Sequence, residues 1–310
     1  MPPVSHLAWA LEYPIRPVRL ICGYPAGGIV DVFARLIGGW LSERLGKPFI
    51  VEDRIGAASN LATEAVVRAP PDGYMLLTVS TTSAINATLY DNLGFRLTTD
   101  IAPIASLYRN GPTVVVVNPL FPAKTLPEFI AYAKDHPGAV NMGSSGIGSP
   151  PHVFAELFKS MAGIELLHVP YRGQPQVLAD LLSGQLQVTF DPLANSIGHI
   201  RAGRLRALAV TTSVRVAALP EVPTVAEFVA GYEASSWQGI GAPKNTPPEI
   251  IERLNHEINA GLAAVNMKMR FAELGGYAPY ASSPGEFGKF IADEIEKWSM
   301  VIRGAHIKPE

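Results

Sequence analysis

Between Val18 and Leu45 the chain passes from a short apolar run, through a glycine turn, into apolar positions at helical spacing. Val18, Leu20 and Ile21 predict a strand, while Val30, Phe33, Ile37, Trp40, Leu41 and Leu45 predict the buried face of a helix. Tyr24-Pro25-Ala26-Gly27-Gly28 joins them, a turn that lets the backbone pass close to another molecule. The order then repeats. Pro48 to Val51 reads as a strand, Asp53 to Ala58 as a turn, and Leu61 to Arg68 as a helix capped by Ser59 or Asn60. Tyr74 to Ser80 is a strand opening into a polar loop, Thr81 to Asn86. Val114 to Val117 is apolar without alternation, as expected of a strand covered on both faces. Val140 to Met142 leads through Gly143 to Ser149 into a helix that starts at Pro150 or Pro151. Leu166 to Val169, Val188 to Phe190 and Leu205 to Val210 are further strands, with a helix over Val177 to Leu182. Four capping-box pairs, Thr125/Glu128, Thr224/Glu227, Thr246/Glu249 and Ser283/Glu286, predict helix starts.

This alternation predicts an α/β fold with largely parallel sheets, whose ligands bind beyond the carboxyl ends of the strands. The Gly/Ser loops fall at that edge. No internal repeat is evident. Asn118 to Pro122 and Pro220 to Pro223 are interrupted by proline and are the expected crossings between domains.

At 310 residues and 48% hydrophobic, the chain is long enough for two domains. A net charge of -2 and a pI near 6.4 supply no broad field for nucleic acid, so a bound anion must be held by local groups. Cys22, the one cysteine, cannot form an internal disulfide and reads as a buried small hydrophobe. Residues 1–12 lack the features of a secretory signal and read as a remnant of a leader or of an expression vector.

The turn at Tyr24 to Gly28 offers donors and no catalyst. The amides and positive dipole end of the helix behind it suit an anion, although many such turns only reverse the chain. Gly46-Lys47 and Gly288-Lys289 lack the glycine spacing of a P-loop, and the first turn is not G-x-G-x-x-G. Ser144 and Ser145 miss the nucleophile elbow because Ile147 stands at its last glycine. His152 lies three residues after Ser149 but belongs to the first turn of a helix. The histidines show no metal spacing, and neither metal nor cofactor is expected.

Taken together, the motifs resemble the Bug family of periplasmic solute-binding receptors of tripartite tricarboxylate transport systems. They are Tyr13-Pro14-x-Arg16-Pro17-Val18-Arg19, Tyr24 to Gly28 with Asp31 and Ala34-Arg35, Gly56-Ala57 with Asn60, Pro71-Asp72-Gly73-Tyr74, Ser145-Gly146-x-Gly148-Ser149-x-x-His152, Pro170-Tyr171-Arg172-Gly173, Asp180-Leu181-Leu182-x-Gly184-Gln185 and Ala242-Pro243 with Thr246-Pro247. The resemblance implies a two-lobed type II periplasmic binding-protein fold, with mixed, mostly parallel sheets, helices on both faces and a ligand cleft between the lobes. Residues 13–118 plus 228–310 are expected to form domain 1 and residues 119–227 domain 2. It implies a periplasmic, non-catalytic monomer that passes a small organic acid (a dicarboxylate, amino acid or aromatic acid) to membrane transporter subunits. No nucleic acid is expected as partner. The expected ligand contacts are Tyr24, Pro25, Ala26, Gly27, Gly28, Asn60, Thr81, Ser83, Ser145, Gly146 and Ser149, with Asp191 reaching a ligand hydroxyl or amine. Tyr24, Ala26, Asp53, Ala58-Ser59 and Gln174 depart from the family's usual residues, and Asp53 is expected at the surface.

A carboxylate taken out of water must have its lost hydrogen bonds replaced, and helix-start amides can do this without arginine. Arg172 is the exception, either a ligand contact or a salt bridge. Trp237 either covers the ligand or, the more common fate of a buried tryptophan, packs in the core. Two other readings stand beside the transport receptor: a ligand sensor for a signalling partner, and an α/β hydrolase-like enzyme using Ser144 or Ser145.

Overall fold

The computed structural model describes residues 13 to 309, so the remnant read in residues 1–12 lies outside it. In chain order the first strands are β1 (Val18–Cys22), β2 (Phe49–Asp53), β3 (Met75–Ser80), β4 (Ile101–Gly111) and β5 (Thr113–Val117). The others are β6 (Asn141–Ser144), β7 (Leu167–Pro170), β8 (Val188–Pro192), β9 (Arg206–Val210) and β10 (Ser236–Pro243). The helices are α1 (Ile29–Leu45), α2 (Asn60–Val67), α3 (Thr81–Leu89), α4 (Leu97–Asp100), α5 (Leu126–Asp135) and α6 (Pro150–Ala162), followed by α7 (Gln174–Ser183), α8 (Leu193–Arg201), α9 (Pro248–Ala263), α10 (Val265–Glu273) and α11 (Pro284–Gly304). None of the described helices is long and apolar enough to cross a membrane.

The strands form two five-stranded sheets, ordered β2-β1-β3-β10-β4 and β7-β6-β8-β5-β9. In the first, β1 lies parallel to β2 and β3 (Leu20 faces Val51 and Leu76), and β10 returns antiparallel along β3. In the second, β6 lies parallel to β7 and β8, and β5 returns antiparallel along β8. Position for position, β1, β2 and β3 correspond to β6, β7 and β8. The internal repeat that the sequence hides is therefore present in the topology.

Local physics accounts for the elements. Val30, Phe33, Ala34, Ile37, Gly38 and Leu41 bury one face of α1, and Gly46 ends it in the left-handed conformation at φ 70°. Val114 to Val117 are fully buried, as their unbroken apolarity predicts, but both neighbours of β5 run antiparallel to it. β4 and β10 escape the apolar pattern because Pro103, Ser106 and Arg109 interrupt one and Gly239 and Gly241 the other. Those glycines are packing positions: a Cβ at Gly239 would sit 2.2 Å from Phe287 and 2.5 Å from the Ala105 carbonyl.

The chain divides into two compact units. One comprises residues up to Arg109, Trp237–Arg270 and Pro279–Glu296; the other comprises Asn110–Ser236, Phe271–Ala278 and the chain from Lys297. Two of the divisions fall at 109/110 and 236/237, ahead of and behind the bounds expected at 118/119 and 227/228, and residues 271–278 and the chain from Lys297, expected in domain 1, fall in the second unit. β5 explains the first difference, because it pairs with β8 and β9 of the second sheet. The prolines mark turns inside the second unit, where Phe121 N donates to Asn118 O and Val222 N to Leu219 O.

Candidate functional site

All the expected contact residues lie at or just beyond the carboxyl ends of parallel strands, three loop positions on each sheet. In the first unit, Tyr24 to Gly28 follow β1. Pro25, Ala26 and Gly27 are exposed, while the Tyr24 hydroxyl meets Ser80 Oγ at 2.6 Å. Gly27, at φ 79°, turns its amide inward to donate to Asp31 Oδ2 at 2.7 Å, and Gly28 N donates to Pro25 O at 3.1 Å. Asp31 is buried and ion-paired to Arg35, whose other arm reaches Asp53 at 3.1 Å.

Burial pushes the Asp31 carboxyl upward, but the Arg35 guanidinium and the Gly27 amide pull it below the usual carboxylate range. Burial and the adjacent Asp31 raise that of Asp53. Asp53 was expected at the surface; it is instead a partly buried brace behind the first loop, because β2 continues through it and Arg35 holds it. Cys22 stands beside the two carboxylates, with candidate ligand atoms of all three within 4.8 Å of one another, and burial pushes its thiol up to about 11. Both carboxylates are already ion-paired to the Arg35 guanidinium.

Beyond β2, Ala57, Ala58 and Ser59 adopt φ of 45°, 50° and 75°, a left-handed turn of three non-glycine residues. It runs against Gly23, where a Cβ would lie 2.0 Å from Ser59 Oγ. Asn60 begins α2, and its Oδ1 accepts from Asn86 Nδ2 at 2.9 Å; the same Nδ2 donates to Ala58 O at 2.7 Å.

Beyond β3 the polar loop expected from Thr81 to Asn86 is the start of α3. Ser80 and Ser83 form a reciprocal capping box that lets the strand pass directly into the helix. Thr81 Oγ1 accepts the Trp237 amide at 2.9 Å. Trp237 is a core residue: 1% exposed, its Nε1 donates to Glu294, and its ring meets Phe287 and Phe290 edge-on.

The loop after β6 in the second unit mirrors the one after β1. Gly148 N donates to His152 Nδ1 at 3.0 Å, the same i to i+4 return that joins Gly27 to Asp31. Ser144 is fully buried; its Oγ meets His168 Nε2 at 2.6 Å and accepts from Gly146 N at 3.2 Å. Ser149 donates to Gly146 O through both its hydroxyl, at 2.7 Å, and its amide, at 3.2 Å. Ser145 and Gly146 are partly exposed on the outer side. α6 opens with Pro150 and Pro151, which have no N–H to offer.

Beyond β7, Arg172 is exposed and forms no ion pair among the described residues. At the end of β8, before the loop, Asp191 is fully buried. Its Oδ1 accepts from Asn195 at 3.3 Å and its Oδ2 from Ser196. Burial pushes its carboxyl up to about 7 against the pull of Ser196, Asn195 and Gln174. Asp191 thus shapes the first turn of α8 from beneath instead of facing solvent.

Chemically, the arrangement is a set of small-residue loops with amides and hydroxyls at the ends of parallel strands. The loops themselves use the amides of Gly27, Gly28, Gly146, Gly148 and Ser149. The first turn of α1, where Gly28 gives no side-chain cap, the amides of Ser145 and Ile147, and the hydroxyl of Thr81 remain as candidate donors, whereas the Ser149 hydroxyl is spent on Gly146 O. His152 does not activate Ser149, since its Nδ1 is taken by Gly148. Sequence reasoning missed Asn86, His168 and the role of Asp31. The one available signal was the matched spacing Gly27-x-x-x-Asp31 and Gly148-x-x-x-His152.

A family profile described as "Tripartite tricarboxylate transporter family receptor" matches residues 33–307. The chain is 36% identical over 303 residues to Protein BugT of Bordetella pertussis, covering 96% of this chain and 92% of that protein. Among solved structures, R. palustris Rpa4515 with adipate is 35% identical with a TM-score of 0.87, covering 96% of this chain and all of that one (100%). MatC (Rpa3494) from Rhodopseudomonas palustris with bound malate is 28% identical with a TM-score of 0.80, covering 94% of this chain and 100% of the other.

Proposed function

The chain belongs to the tripartite tricarboxylate transporter receptor family, and from that premise we propose that it holds its solute by hydrogen-bond donors from the loops at the carboxyl ends of its parallel strands. Its function is extracytoplasmic binding of a small carboxylate solute for a transporter of this type. The observation that supports the donor assignment is the matched pair of loops after β1 and β6. Each is small-residued and lies at the end of a parallel strand, and each is braced from behind by the fourth residue after a glycine.

The assigned donors are the first-turn amides of α1, the amides of Ser145 and Ile147, and the hydroxyl of Thr81, while Ser149 closes its own loop onto Gly146 O. Tyr24, Pro25, Ala26, Gly146 and Arg172 line the approach. Asn60, Ser83 and Asp191 fix the loops. Charge-assisted hydrogen bonds contribute about 1.5 to 3 kcal/mol each, and a micromolar dissociation constant corresponds to roughly 8 kcal/mol. A few such bonds with modest apolar burial suffice. The protein acts as a periplasmic monomer and releases its ligand chemically unchanged.

The test is native mass spectrometry of the purified chain, followed by calorimetry with adipate, malate and other small carboxylates beside their diamides. Binding of an acid, with the matching diamide at least tenfold weaker, supports the reading. Equal affinity for acid and diamide overturns it. Recovery of a reaction product, absent from Ser145→Ala, overturns the non-catalytic part.

A further inference from the structure

The most unusual side-chain arrangement outside the donor set is a pair of stacked imidazoles. The rings of His152, on α6, and His168, on β7, lie with centroids 3.7 Å apart and planes 7° from parallel. Each ring reaches the Ser144–Ser149 loop by one nitrogen. His152 Nδ1 accepts the Gly148 amide at 3.0 Å, and His168 Nε2 meets Ser144 Oγ at 2.6 Å. The titratable groups set against the pair are Glu156, whose Oε1 is 3.6 Å from His152 Nε2, and Lys159, which is paired to Glu156 at 2.7 Å. From β6 comes the Ser144 hydroxyl.

The two contacts respond differently to a proton. His168 can donate Nε2–H to Ser144 whether the ring is neutral or cationic, because Ser144 can pass its own proton to Gly146 O, 3.0 Å away. His152 has no such latitude. Its Nδ1 accepts from Gly148 only through an unprotonated lone pair, and protonation sets an N–H against an N–H. Face-to-face stacking at this separation also opposes a second positive charge, so the pair takes up one proton at most before the stack is disfavoured.

We propose that His152 is the positioning residue of the Ser144–Ser149 loop, and that the loop keeps its observed form only while the His152 ring is unprotonated, so that acidification releases Gly148 and weakens ligand capture. The last step rests on the assignment of this loop to the ligand. The corresponding loop of the first unit does not share the switch, because Asp31, which takes the equivalent amide, stays a carboxylate well into the acid range. His168 supports the direction of the effect: burial, then the neighbouring His152, lowers it to about 4.

The experiment uses the full ¹⁵N-labelled chain without ligand, titrated from pH 8 to pH 4.5. Imidazole nitrogen shifts report the proton, and the Gly148 amide shift and hydrogen-exchange protection report the loop. Loss of Gly148 protection in step with His152 protonation, absent from His152→Asn, is the expected result. Asparagine places a non-titrating acceptor where Nδ1 lies, so this variant should keep the loop formed at every pH, whereas His152→Ala should lose protection throughout. Protection that persists while the His152 shifts report protonation, or that falls identically in His152→Asn, overturns the proposal.

A parallel calorimetric titration with adipate separates the two readings. A tenfold or greater loss of affinity between pH 7.5 and pH 5 in the native chain, flattened in His152→Asn, supports both. A loop that opens with no change in affinity keeps the latch and removes the loop from the ligand site.

Discussion

Ala58 sits at φ 50° and ψ 45° between two other left-handed residues, in a turn where its β-carbon meets the following carbonyl unfavourably. A left-handed residue other than glycine costs roughly 1 to 2 kcal/mol, partly offset by the greater freedom glycine loses on folding. Ala58→Gly is therefore expected to stabilise the first unit by about 0.5 to 1 kcal/mol, read as a higher denaturant midpoint at unchanged m-value. Gly23→Ala should move the other way by about 1 to 3 kcal/mol, because its new methyl would fall 2.0 Å from Ser59 Oγ and 2.9 Å from Ser59 Cα. A stabilised Gly23→Ala would show that the turn yields freely and that its strain is not held by packing. The family resemblance marked Ala58-Ser59 as a departure from the usual residues. It could not show the cost, because a left-handed φ is invisible until the neighbouring chain is placed.

Helix starts show how far local chemistry carries. Of the four expected capping boxes, Thr125 and Ser283 cap α5 and α11, and Thr224 completes its box but leads only into a three-residue 3₁₀ turn, Val225–Glu227. Thr246 donates to Pro243 O, and α9 begins after Pro247 without its help. A pattern of two residues fixes a cap, but burial of the following face decides whether a helix grows from it. The box that mattered most near the site was unread: Ser80 with Ser83 lies inside an apolar-to-polar transition that resembles a loop. Because Ser80 also holds the Tyr24 hydroxyl, Ser80→Ala removes a cap and the 2.6 Å partner of a phenol at once. A loss of about 1 to 3 kcal/mol is expected in chemical denaturation, with Tyr24→Phe in the same background costing nothing further. Full additivity of the two changes would show that Tyr24 and Ser80 are not coupled.

At the scale of the whole chain, the strand sequence β-α-β and its loops were legible, while the equivalence of the two sheets was not. Glycines at close approaches and prolines inside turns disguise β4, β10 and the true divisions between units. The second unit also carries one buried and one half-buried titrating group whose effects on stability oppose one another. His168 falls from 6.5 to about 4, so the unfolded chain binds the extra proton between those values, and stability falls as pH is lowered through that window. Asp191 rises from 3.8 to about 7, so the native chain retains a proton the unfolded chain has lost, and stability falls as pH is raised through that window. Each contributes up to a few kcal/mol, since a tenfold change in proton affinity on folding is worth about 1.4 kcal/mol. Melting curves from pH 4 to 8 should separate the two. Asp191→Asn should remove the decline on the alkaline side while leaving that on the acid side, and His168→Gln should do the reverse and retain a donor to Ser144. If Asp191→Asn instead lowers stability by the same amount at every pH, the buried carboxyl is ionised throughout and its bonds with Asn195 and Ser196 outweigh the cost of burying its charge.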